Sequence, residues 1–513
     1  MAENLRALIA ILILSVPVLY YLRRPLTATA IEPSDYKLRM WLWLGLTVVL
    51  FVAHSFWLFM ITTALALLTL GRNDSNPLGL YFFLLFLAPP FQSLIEGFAG
   101  INNFIALDYL RLLSLVILFP LAVRLWRNPE SPRLLKMPAD KYLLGYLALS
   151  LAITASVTST TDIMRTVVSQ FIDVFLPYYA FSRGLSDVRK FRDALASFAG
   201  ICAVMAVIAV FETFKHWLLY SSLPNVLDVR WAMGGYMLRD GSLRATVSTG
   251  HAIILGYVMT VAMGLHLALR DSYPSSRSWK SVLILLAAGI IAALSRGPWV
   301  GAVAMVAVAV ALSPRAGSLF GKIGLAAIVL IPVLLFTPWG AKIVALLPFV
   351  GDVDETSVEY RRQLFAVSWD ILMQHPVFGS PSYLGNGAME QMRQGEGIID
   401  MVNSYLGIAM YSGFVGLALF AGVFASSGVR LLVQLARHSH KGSESHSIGT
   451  ALFATLVGVL LIIATLSSIN AVPVIYWCLA GACAAYLKAV VAERHTPPLE
   501  PSGTTHRFFA ARS

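Results

Sequence analysis

Long, continuous runs of hydrophobic residues separated by short polar segments dominate this chain. The runs are roughly the 20 residues that an α-helix needs to cross a hydrocarbon core about 30 Å thick. They lie near 5–22, 40–70, 78–95, 104–123, 142–157, 163–182, 192–214, 248–269, 281–296, 298–313, 323–337, 403–425, 448–466 and 473–488. This pattern predicts an all-α polytopic membrane protein with about 14 transmembrane helices.

One of these runs is longer than a single span requires. As one helix, 40–70 would extend about 46 Å at 1.5 Å per residue, which is more than the hydrocarbon core. It therefore predicts either one protruding helix or a tight hairpin around His54. The total is 14 spans with the first alternative and 15 with the second.

The composition agrees with a membrane location. Of 513 residues, 58% are hydrophobic and 13% are charged, whereas a soluble domain carries about 25% charged residues. These values exclude a cytosolic enzyme, a disordered chain and a secreted disulfide scaffold. A membrane β-barrel is disfavoured because its strands alternate over roughly ten residues. The three cysteines all lie within apolar runs, where small buried side chains are expected.

Positive charge is concentrated in short loops between the apolar runs. The net charge of +11 follows from the positive-inside rule, so a nucleic-acid partner is not needed to explain it. The loops predicted to be cytoplasmic are 124–141, 183–192, 270–280, 314–322 and 426–447. The same parity places 215–247, 295–298 and 338–402 outside. The first apolar run lacks a cleavage site before Arg23 and Arg24, and we expect a retained helix.

The runs and loops divide the chain into five parts. These are N-terminal transmembrane helices over 1–157, core transmembrane helices over 158–337, a large periplasmic loop over 338–402, C-terminal transmembrane helices over 403–490 and a disordered cytoplasmic tail over 491–513. The loop 338–402 holds eight acidic and four basic residues. It is too long for a simple connector, and apolar spacing predicts a helix at 358–374.

Two arginines at the predicted outer face are candidates for binding an anion. Arg296 stands between two apolar runs, directly before Gly297 and Pro298, at the start of a predicted helix. Arg244 precedes the run 248–269 on the same face. Paired guanidinium groups suit the paired oxygens of a diphosphate. The alternatives are an interfacial arginine for Arg296 and a solvated loop arginine for Arg244.

The long loop supplies candidates for a general base. His375 is its one histidine, and Asp400 is the acid nearest in sequence to the next apolar run. A sugar-transferring site needs a base to accept the proton of the incoming hydroxyl. A structural histidine and a solvated carboxylate are the alternatives. We find no Walker-type phosphate loop, metal-ligand cluster or nucleophile elbow, so no cofactor is predicted.

Three stretches in this order resemble the O-antigen ligase and polysaccharide polymerase superfamily of bacterial inner-membrane glycosyltransferases. The stretches are Ser295-Arg296-Gly297 with Trp299, the segment 361–379 ending in His-Pro-Val-Phe-Gly, and Asn403 followed by Gly413 and Gly416. The resemblance is strongest over about 160–425. It adds Arg361, Asn403 and Tyr405 to Arg244 and Arg296 as predicted substrate-binding residues, with Asp400 and His375 as predicted catalytic residues.

The sequence departs from the family pattern at two positions. The family histidine falls at position 402, where this chain has Val402. Its absence either shifts the role of the base to Asp400 or His375, or indicates a polymerase or a divergent exopolysaccharide enzyme. Arg244 is followed by Ala245 rather than by the Gly-Thr-Phe that is frequent in the family.

The resemblance implies a metal-independent transfer of a glycan from undecaprenyl diphosphate to a sugar hydroxyl, on the periplasmic side of the bacterial inner membrane. The expected partners are the lipid-linked glycan donor, a sugar or lipid-linked acceptor, membrane lipids and a chain-length regulator or other assembly protein. Two alternatives are a transporter or flippase, with Asp173, Pro177 and Arg183 at a broken helix, and a non-catalytic scaffold.

Overall fold

The chain folds into a bundle of helices with two small β-hairpins. The computed structural model describes residues 2–97, 103–229, 235–239, 241–337, 355–393, 399–437 and 443–495. Within these ranges the structure is mostly helical and carries little strand, as the hydrophobic pattern predicts. The predicted tail over 491–513 begins inside the last helix, and its remainder from 496 lies outside the described ranges.

The described residues of the first half of the chain form twelve α-helices and four strands. They are α1 Glu3–Thr27, α2 Pro33–Val52, α3 Phe56–Thr69, α4 Pro77–Leu84, β1 Gln92–Glu96, β2 Asn103–Asp108, α5 Tyr109–Leu113, α6 Phe119–Arg127, α7 Pro138–Val157, α8 Thr160–Gln170, α9 Leu176–Gly184, α10 Val188–Lys215, α11 Leu223–Val226, β3 Leu238–Arg239, β4 Ser242–Leu243 and α12 Ala252–Leu267. Ser114–Leu118 and Phe171–Phe175 are π-helical turns that join α5 to α6 and α8 to α9.

The second half continues with helices alone in its described ranges. They are α13 Ser276–Ala292, α14 Arg296–Ala311, α15 Ala316–Phe336, α16 Glu355–Gln374, α17 Gly387–Glu390, α18 Ser404–Ala436, α19 Glu444–Ile462 and α20 Ala471–His495. Short 3-10 turns lie at Gly71–Asn73, Val247–Thr249, Arg270–Ser272, Tyr383–Gly385 and Ile463–Thr465. Helix α16 confirms the helix expected at 358–374 in the long loop.

Among the described residues, seven helical segments are long and apolar enough to cross a membrane. They are Glu3–Thr27, Phe56–Asn73, Tyr109–Arg127, Val188–Lys215, Ser404–Ala436, Glu444–Thr465 and Ala471–Ala489. Two shorter apolar helices, Ala252–Leu267 and Arg296–Ala311, accompany them. The length and the apolar character of these segments are those of the membrane-spanning helices of an integral membrane protein. The predicted count of 14 spans is not reached by this measure, since several apolar runs form shorter or broken helices.

Two apolar runs depart from a single straight span. The run 40–70 is broken at His54, whose φ is 49°, so that α2 ends before it and α3 begins after it. The run 78–95 forms only the eight residues of α4 before the chain turns at Pro89 and Pro90. It then enters β1, which pairs antiparallel with β2. Proline lacks the amide proton that a helix interior requires, so Pro89 and Pro90 disfavour a helix through the rest of this run.

The loops that carry the basic residues meet at one end of the bundle. Arg192 donates to the backbone oxygen of Thr29 at 2.8 Å and forms an ion pair with Glu444. Ser272 donates to the same Glu444 at 3.4 Å, and the Lys488 ammonium donates to the carbonyl of Glu130 at 3.2 Å. The loops predicted to share one side of the membrane therefore lie together; which side they face remains a prediction.

A buried ion-pair cluster joins α2, the turn after α3 and α10 near this end. Arg39 is fully buried and donates to both oxygens of Asp74 at 2.7 Å. It also contacts both oxygens of Asp193 and donates to Ser197 Oγ at 2.7 Å. The guanidinium donates further to the backbone oxygen of Asn76 at 3.3 Å. One arginine thus holds two carboxylates that would otherwise be buried without a counter-charge.

We expect Arg39→Ala to lower the stability of the protein sharply, because it leaves two buried carboxylates without their cation. Breaking a buried ion pair by removing one partner costs about 3–5 kcal/mol. The thermal midpoint of the purified protein in detergent measures the effect. Arg189→Ala is the matched control, since the Arg189 side chain is 71% exposed in its pair with Glu32 and such pairs contribute little. Equal midpoints for the two variants would contradict this account.

Candidate functional site

Arg244 and Arg296 lie on two segments that touch. The backbone N–H of Ala245 donates to the carbonyl of Ala292 at 3.1 Å. The Arg244 guanidinium donates to Ser295 Oγ at 3.4 Å, one residue before Arg296. Arg239 in β3 donates to the carbonyl of Leu294 at 2.5 Å. The structure therefore brings together the two arginines that the sequence predicts at one face, and it adds Arg239 beside them.

The guanidinium of Arg244 is only partly satisfied. Its Nε is buried and has no hydrogen-bond partner among the described residues, and the same holds for Thr246 Oγ1. Burial, together with the positive charge of Arg239, lowers the pKa of Arg244 to about 10. The group still carries its charge at neutral pH. A half-buried cation with an unused buried donor is a favourable place for an anion, because the anion restores both the charge balance and the hydrogen bond.

Arg296 begins helix α14 at a sharp turn. Leu294 has a φ of 45°, a region that residues other than glycine rarely adopt, and this turn reverses the chain between α13 and α14. Trp299 donates from its indole nitrogen to the carbonyl of Ile290 at 3.0 Å and so ties the two helices together. A Cβ placed on Gly297 would overlap Thr465 Oγ1. Glycine at this position permits the close approach of the loop after α19.

Asp400 is held by that same loop. Its Oδ1 accepts from Ser467 Oγ at 2.5 Å and from the backbone N–H of Val402 at 3.1 Å. Ser404 Oγ, at the start of α18, donates to the carbonyl of Leu466 at 2.6 Å. The loop 465–467 therefore contacts the Arg296 turn on one side and Asp400 on the other. This arrangement places the predicted base at the same end of the bundle as the two arginines.

Val402, which stands where the family histidine falls, has a strained backbone. Its φ is 49°, an uncommon value for a β-branched residue. Its N–H donates to Ser467 Oγ at 2.9 Å as well as to Asp400. Strained residues of this kind gather at functional sites, where the surrounding structure holds them. The backbone at this position is therefore held in an unusual conformation, although the valine side chain has no titratable group.

Asn403 and Tyr405 use their polar groups to hold α18. Asn403 Oδ1 accepts from the backbone N–H of Tyr405 at 2.9 Å and of Leu406 at 3.2 Å, as an N-cap residue does. The Tyr405 hydroxyl donates to the carbonyl of Leu460 at 2.7 Å. Both residues follow Asp400 closely in sequence. The Asn403 side-chain oxygen and the Tyr405 hydroxyl already form hydrogen bonds within the protein, and the contact of these two residues with substrate stays a prediction.

Arg361 lies on the exposed side of α16. The neighbouring Tyr360 donates from its hydroxyl to the backbone oxygen of Asp400 at 3.2 Å. Arg361 itself is exposed and makes no hydrogen bond or ion pair with any residue that the structure describes. The contact with the Asp400 segment is therefore made by Tyr360, and Arg361 is the next residue of the helix.

His375 is separated from Asp400. It is exposed at the end of α16, where the following segment pairs with the middle of α18. The backbone N–H of Phe414 donates to the carbonyl of Pro376 at 2.8 Å, and a Cβ on Gly413 would overlap the backbone of Val377. Gly413 is ten residues past Asn403, which is about 15 Å along a helix. The two predicted catalytic residues thus lie next to different parts of α18: Asp400 is near its start, and His375 is near its middle.

Glu390, another acid of the long loop, is already paired. Arg393 contacts its two carboxylate oxygens at 2.8 Å each, and this hydrogen-bonded pair lowers the pKa of Glu390. A paired carboxylate with a lowered pKa is a weak base, so Glu390 is a poor candidate for the general base. Glu396, which the sequence places between them, lies outside the described residues.

Glu212 supports this site, although nothing in the sequence analysis singled it out. It is fully buried near the end of α10. Its carboxylate accepts from the backbone N–H groups of Leu219 at 3.0 Å, Thr246 at 3.0 Å and Val247 at 2.9 Å. These bonds hold the loop that carries Arg244. The available signal was an acidic residue near the end of an otherwise apolar run, which is costly unless it is paired.

We expect Glu212→Ala to loosen the Arg244 loop, because it leaves three buried N–H groups without an acceptor. Amide hydrogen exchange of the peptide covering 241–250 should speed up by at least about tenfold, as each unsatisfied buried group costs roughly 1–3 kcal/mol. Glu359→Ala on the exposed face of α16 is the control. Unchanged exchange at Thr246 and Val247 would show that Glu212 does not hold the loop.

No metal site accompanies these residues in the described parts of the chain. No group of three or more His, Cys, Asp or Glu side chains there is arranged to hold a metal ion. The three cysteines are buried and free, as their positions in apolar runs predict.

Comparison with known proteins gives one family. Residues 281–421 match the family model of O-antigen ligase, a stretch that includes Arg296, Arg361, His375 and Asp400 but not Arg244. No curated protein matches the chain. This family acts in polysaccharide assembly with a glycosyltransferase-like activity, and it implies a lipid-linked glycan donor and a membrane setting. The match confirms the resemblance to the O-antigen ligase superfamily over residues 281–421.

Proposed function

We propose that this protein transfers a glycan from undecaprenyl diphosphate to a sugar hydroxyl at the periplasmic face of the bacterial inner membrane. The observation that carries the proposal is the contact between the Arg244 and Arg296 segments through Ser295. It sets two guanidinium groups at one end of an integral membrane protein whose residues 281–421 match the O-antigen ligase family.

The arginines are the proposed binding groups for the diphosphate. A guanidinium binds phosphate oxygens in a bidentate manner and keeps its charge at any physiological pH. The buried Nε of Arg244 supplies a donor that no described residue uses. Negative charge develops on the leaving diphosphate as its bond to the sugar breaks. Fixed cations at that point stabilise the transition state more than the ground state.

Asp400 is the proposed base. The acceptor hydroxyl attacks the anomeric carbon of the donor sugar while the bond from that carbon to the diphosphate oxygen breaks. The diphosphate leaves with the bonding electron pair, and the hydroxyl proton passes to the Asp400 carboxylate. The hydrogen bonds from Ser467 and Val402 occupy Oδ1. They orient the carboxylate and leave Oδ2 for the acceptor.

An apolar groove beside α18 suits the lipid part of the donor. A cavity of about 410 Å³ lies between α7 and α18, next to the segment after His375. Its lining includes Tyr142, Val377, Phe414 and Leu419, and it offers almost no polar surface. An isoprenoid chain has no hydrogen-bonding groups to satisfy, so such a groove suits it. Within this proposal, His375 is a residue at the edge of the lipid groove and not the base.

A transporter or flippase remains the second candidate because α8 and α9 are joined by a π-helical turn at Asp173. Such turns are frequent at functional sites. Arg111 forms an ion pair with Asp173, with the side chains 18% and 27% exposed. Arg183, by contrast, is fully buried in an ion pair with Asp140, and this pair fits a structural role. The diphosphate site is favoured since it is supported by the family match.

We expect Arg296→Ala and Arg244→Ala each to lower the rate of glycan transfer by at least about a hundredfold, the effect of removing one transition-state charge contact. The lysine variants should recover only part of the rate, because lysine keeps the charge but loses the bidentate contact. The measurement is the initial rate of transfer from a purified lipid-linked donor, at matched protein amounts. Arg362→Ala, on the exposed face of α16, is the control. Full activity in Arg296→Ala would remove the diphosphate site.

We expect Asp400→Asn to lower the turnover number by about a hundredfold to ten-thousandfold with little change in donor binding, as for the loss of a general base. His375→Ala should change turnover far less. Ser467→Ala tests the orientation of the carboxylate and should have an intermediate effect. Donor binding is followed separately with a fluorescent lipid-linked analogue. If His375→Ala is the inactive variant and Asp400→Asn is active, the assignment of the base is reversed.

A further inference from the structure

A second cavity lies at the opposite, basic end of the bundle. It has a volume of about 430 Å³ and is formed by the end of α6, the segment that follows it and α9. Its lining includes Trp126, Arg127, Ser131, Arg133 and Tyr179. Because the site with Arg244 and Arg296 is at the other end of the bundle, this cavity belongs to neither the proposed donor site nor the acceptor site.

The cations of this cavity are available. Arg127 and Arg133 are exposed, and neither side chain has a hydrogen bond or an ion pair in the described part of the molecule. Ser131 Oγ is buried and has no partner there. Arg183, by contrast, is neutralised by Asp140 behind the cavity and stacks on the ring of Tyr179 at 4.7 Å. Two free guanidinium groups and one unused hydroxyl thus surround a single recess.

The surroundings of the recess indicate a lipid rather than a soluble anion. Arg127 is the last residue of a candidate membrane span, and Trp126 beside it is 65% exposed. Tryptophan at this position is typical of a membrane–water interface. From Tyr179 in α9 a row of stacked rings continues into the preceding π-helical turn through Phe175 and Phe171, with centroids 5.3 and 5.6 Å apart. Acyl chains can lie against this row while a headgroup occupies the recess.

We propose that this recess binds the phosphodiester headgroup of an anionic phospholipid. Arg127 and Arg133 hold the phosphate, Ser131 donates to one of its oxygens, and Trp126 lies at the level of the headgroup. Basic pockets between membrane helices are known to take such headgroups. The negative charge of the lipid pairs with two arginines that form no ion pair in the described part of the protein. The bound headgroup then contacts both the segment after α6 and α9, and it attaches this end of the bundle to the bilayer.

The test compares the full-length chain with two charge-matched double variants. Purified protein in detergent is mixed with phosphatidylglycerol or with phosphatidylcholine of the same acyl chains, and bound lipid is counted by native mass spectrometry. Arg127→Gln with Arg133→Gln removes the two cations of the recess. Arg124→Gln with Lys136→Gln removes two exposed cations of the same loop that do not line it. Circular dichroism melts confirm that both variants are folded.

We expect the protein to retain phosphatidylglycerol in preference to phosphatidylcholine. Retention should weaken by roughly tenfold or more in the recess variant and stay unchanged in the control variant. Equal retention of the two lipids would overturn the proposal. An equal loss in both variants would show diffuse attraction to the loop and would also overturn it. Displacement by glycerol phosphate at the lipid concentration would identify a free phosphoester as the ligand instead.

Discussion

The carboxylate of Glu212 is the constraint on which the candidate site depends. It accepts hydrogen bonds from three backbone N–H groups in the segments that follow α10, and two of these N–H groups belong to the loop of Arg244. A buried carboxylate is tolerated only where donors replace its water shell. The loop in turn meets the Arg296 turn through Ala245 and Ser295. One buried acid, Glu212, therefore helps to position the half-buried Arg244, although the two residues are 32 positions apart.

Three of the eight non-glycine residues that have a positive φ in the described part of the chain lie around the same site. Val247, Leu294 and Val402 have φ values of 48°, 45° and 49°, and each lies next to a segment that carries a candidate residue. Two of them are β-branched, for which this region is unfavourable. Such conformations persist only where neighbouring contacts hold them. Such contacts are present at all three: Glu212 accepts from Val247, Arg239 donates to the carbonyl of Leu294, and Asp400 and Ser467 accept from Val402.

The helices and the distribution of charge could be predicted from sequence because both are local properties. A long apolar run forms a helix wherever it lies, and short basic loops share one side of a membrane. The prediction of a membrane-spanning helix was wrong at one apolar run, where the chain leaves the helical conformation although its residues are hydrophobic. The helix of the run 78–95 ends at Leu84, the chain turns at Pro89 and Pro90, and the following residues pair as a hairpin. At His54 the sequence predicted either one protruding helix or a tight hairpin, and in the structure the run is divided there into α2 and α3.

The sequence by itself determined the membrane class, the helix at 358–374 and the choice of Arg244, Arg296, Asp400 and His375 as candidates. Tertiary structure alone decided which of these meet. It joined Arg244 to the Arg296 turn and set Asp400 on the loop that contacts Gly297. It also placed His375 beside Gly413, away from Asp400, and made Glu212 the support of the arginine loop. The reason is physical: these relations are hydrogen bonds and close approaches between residues tens of positions apart, and no local pattern records them.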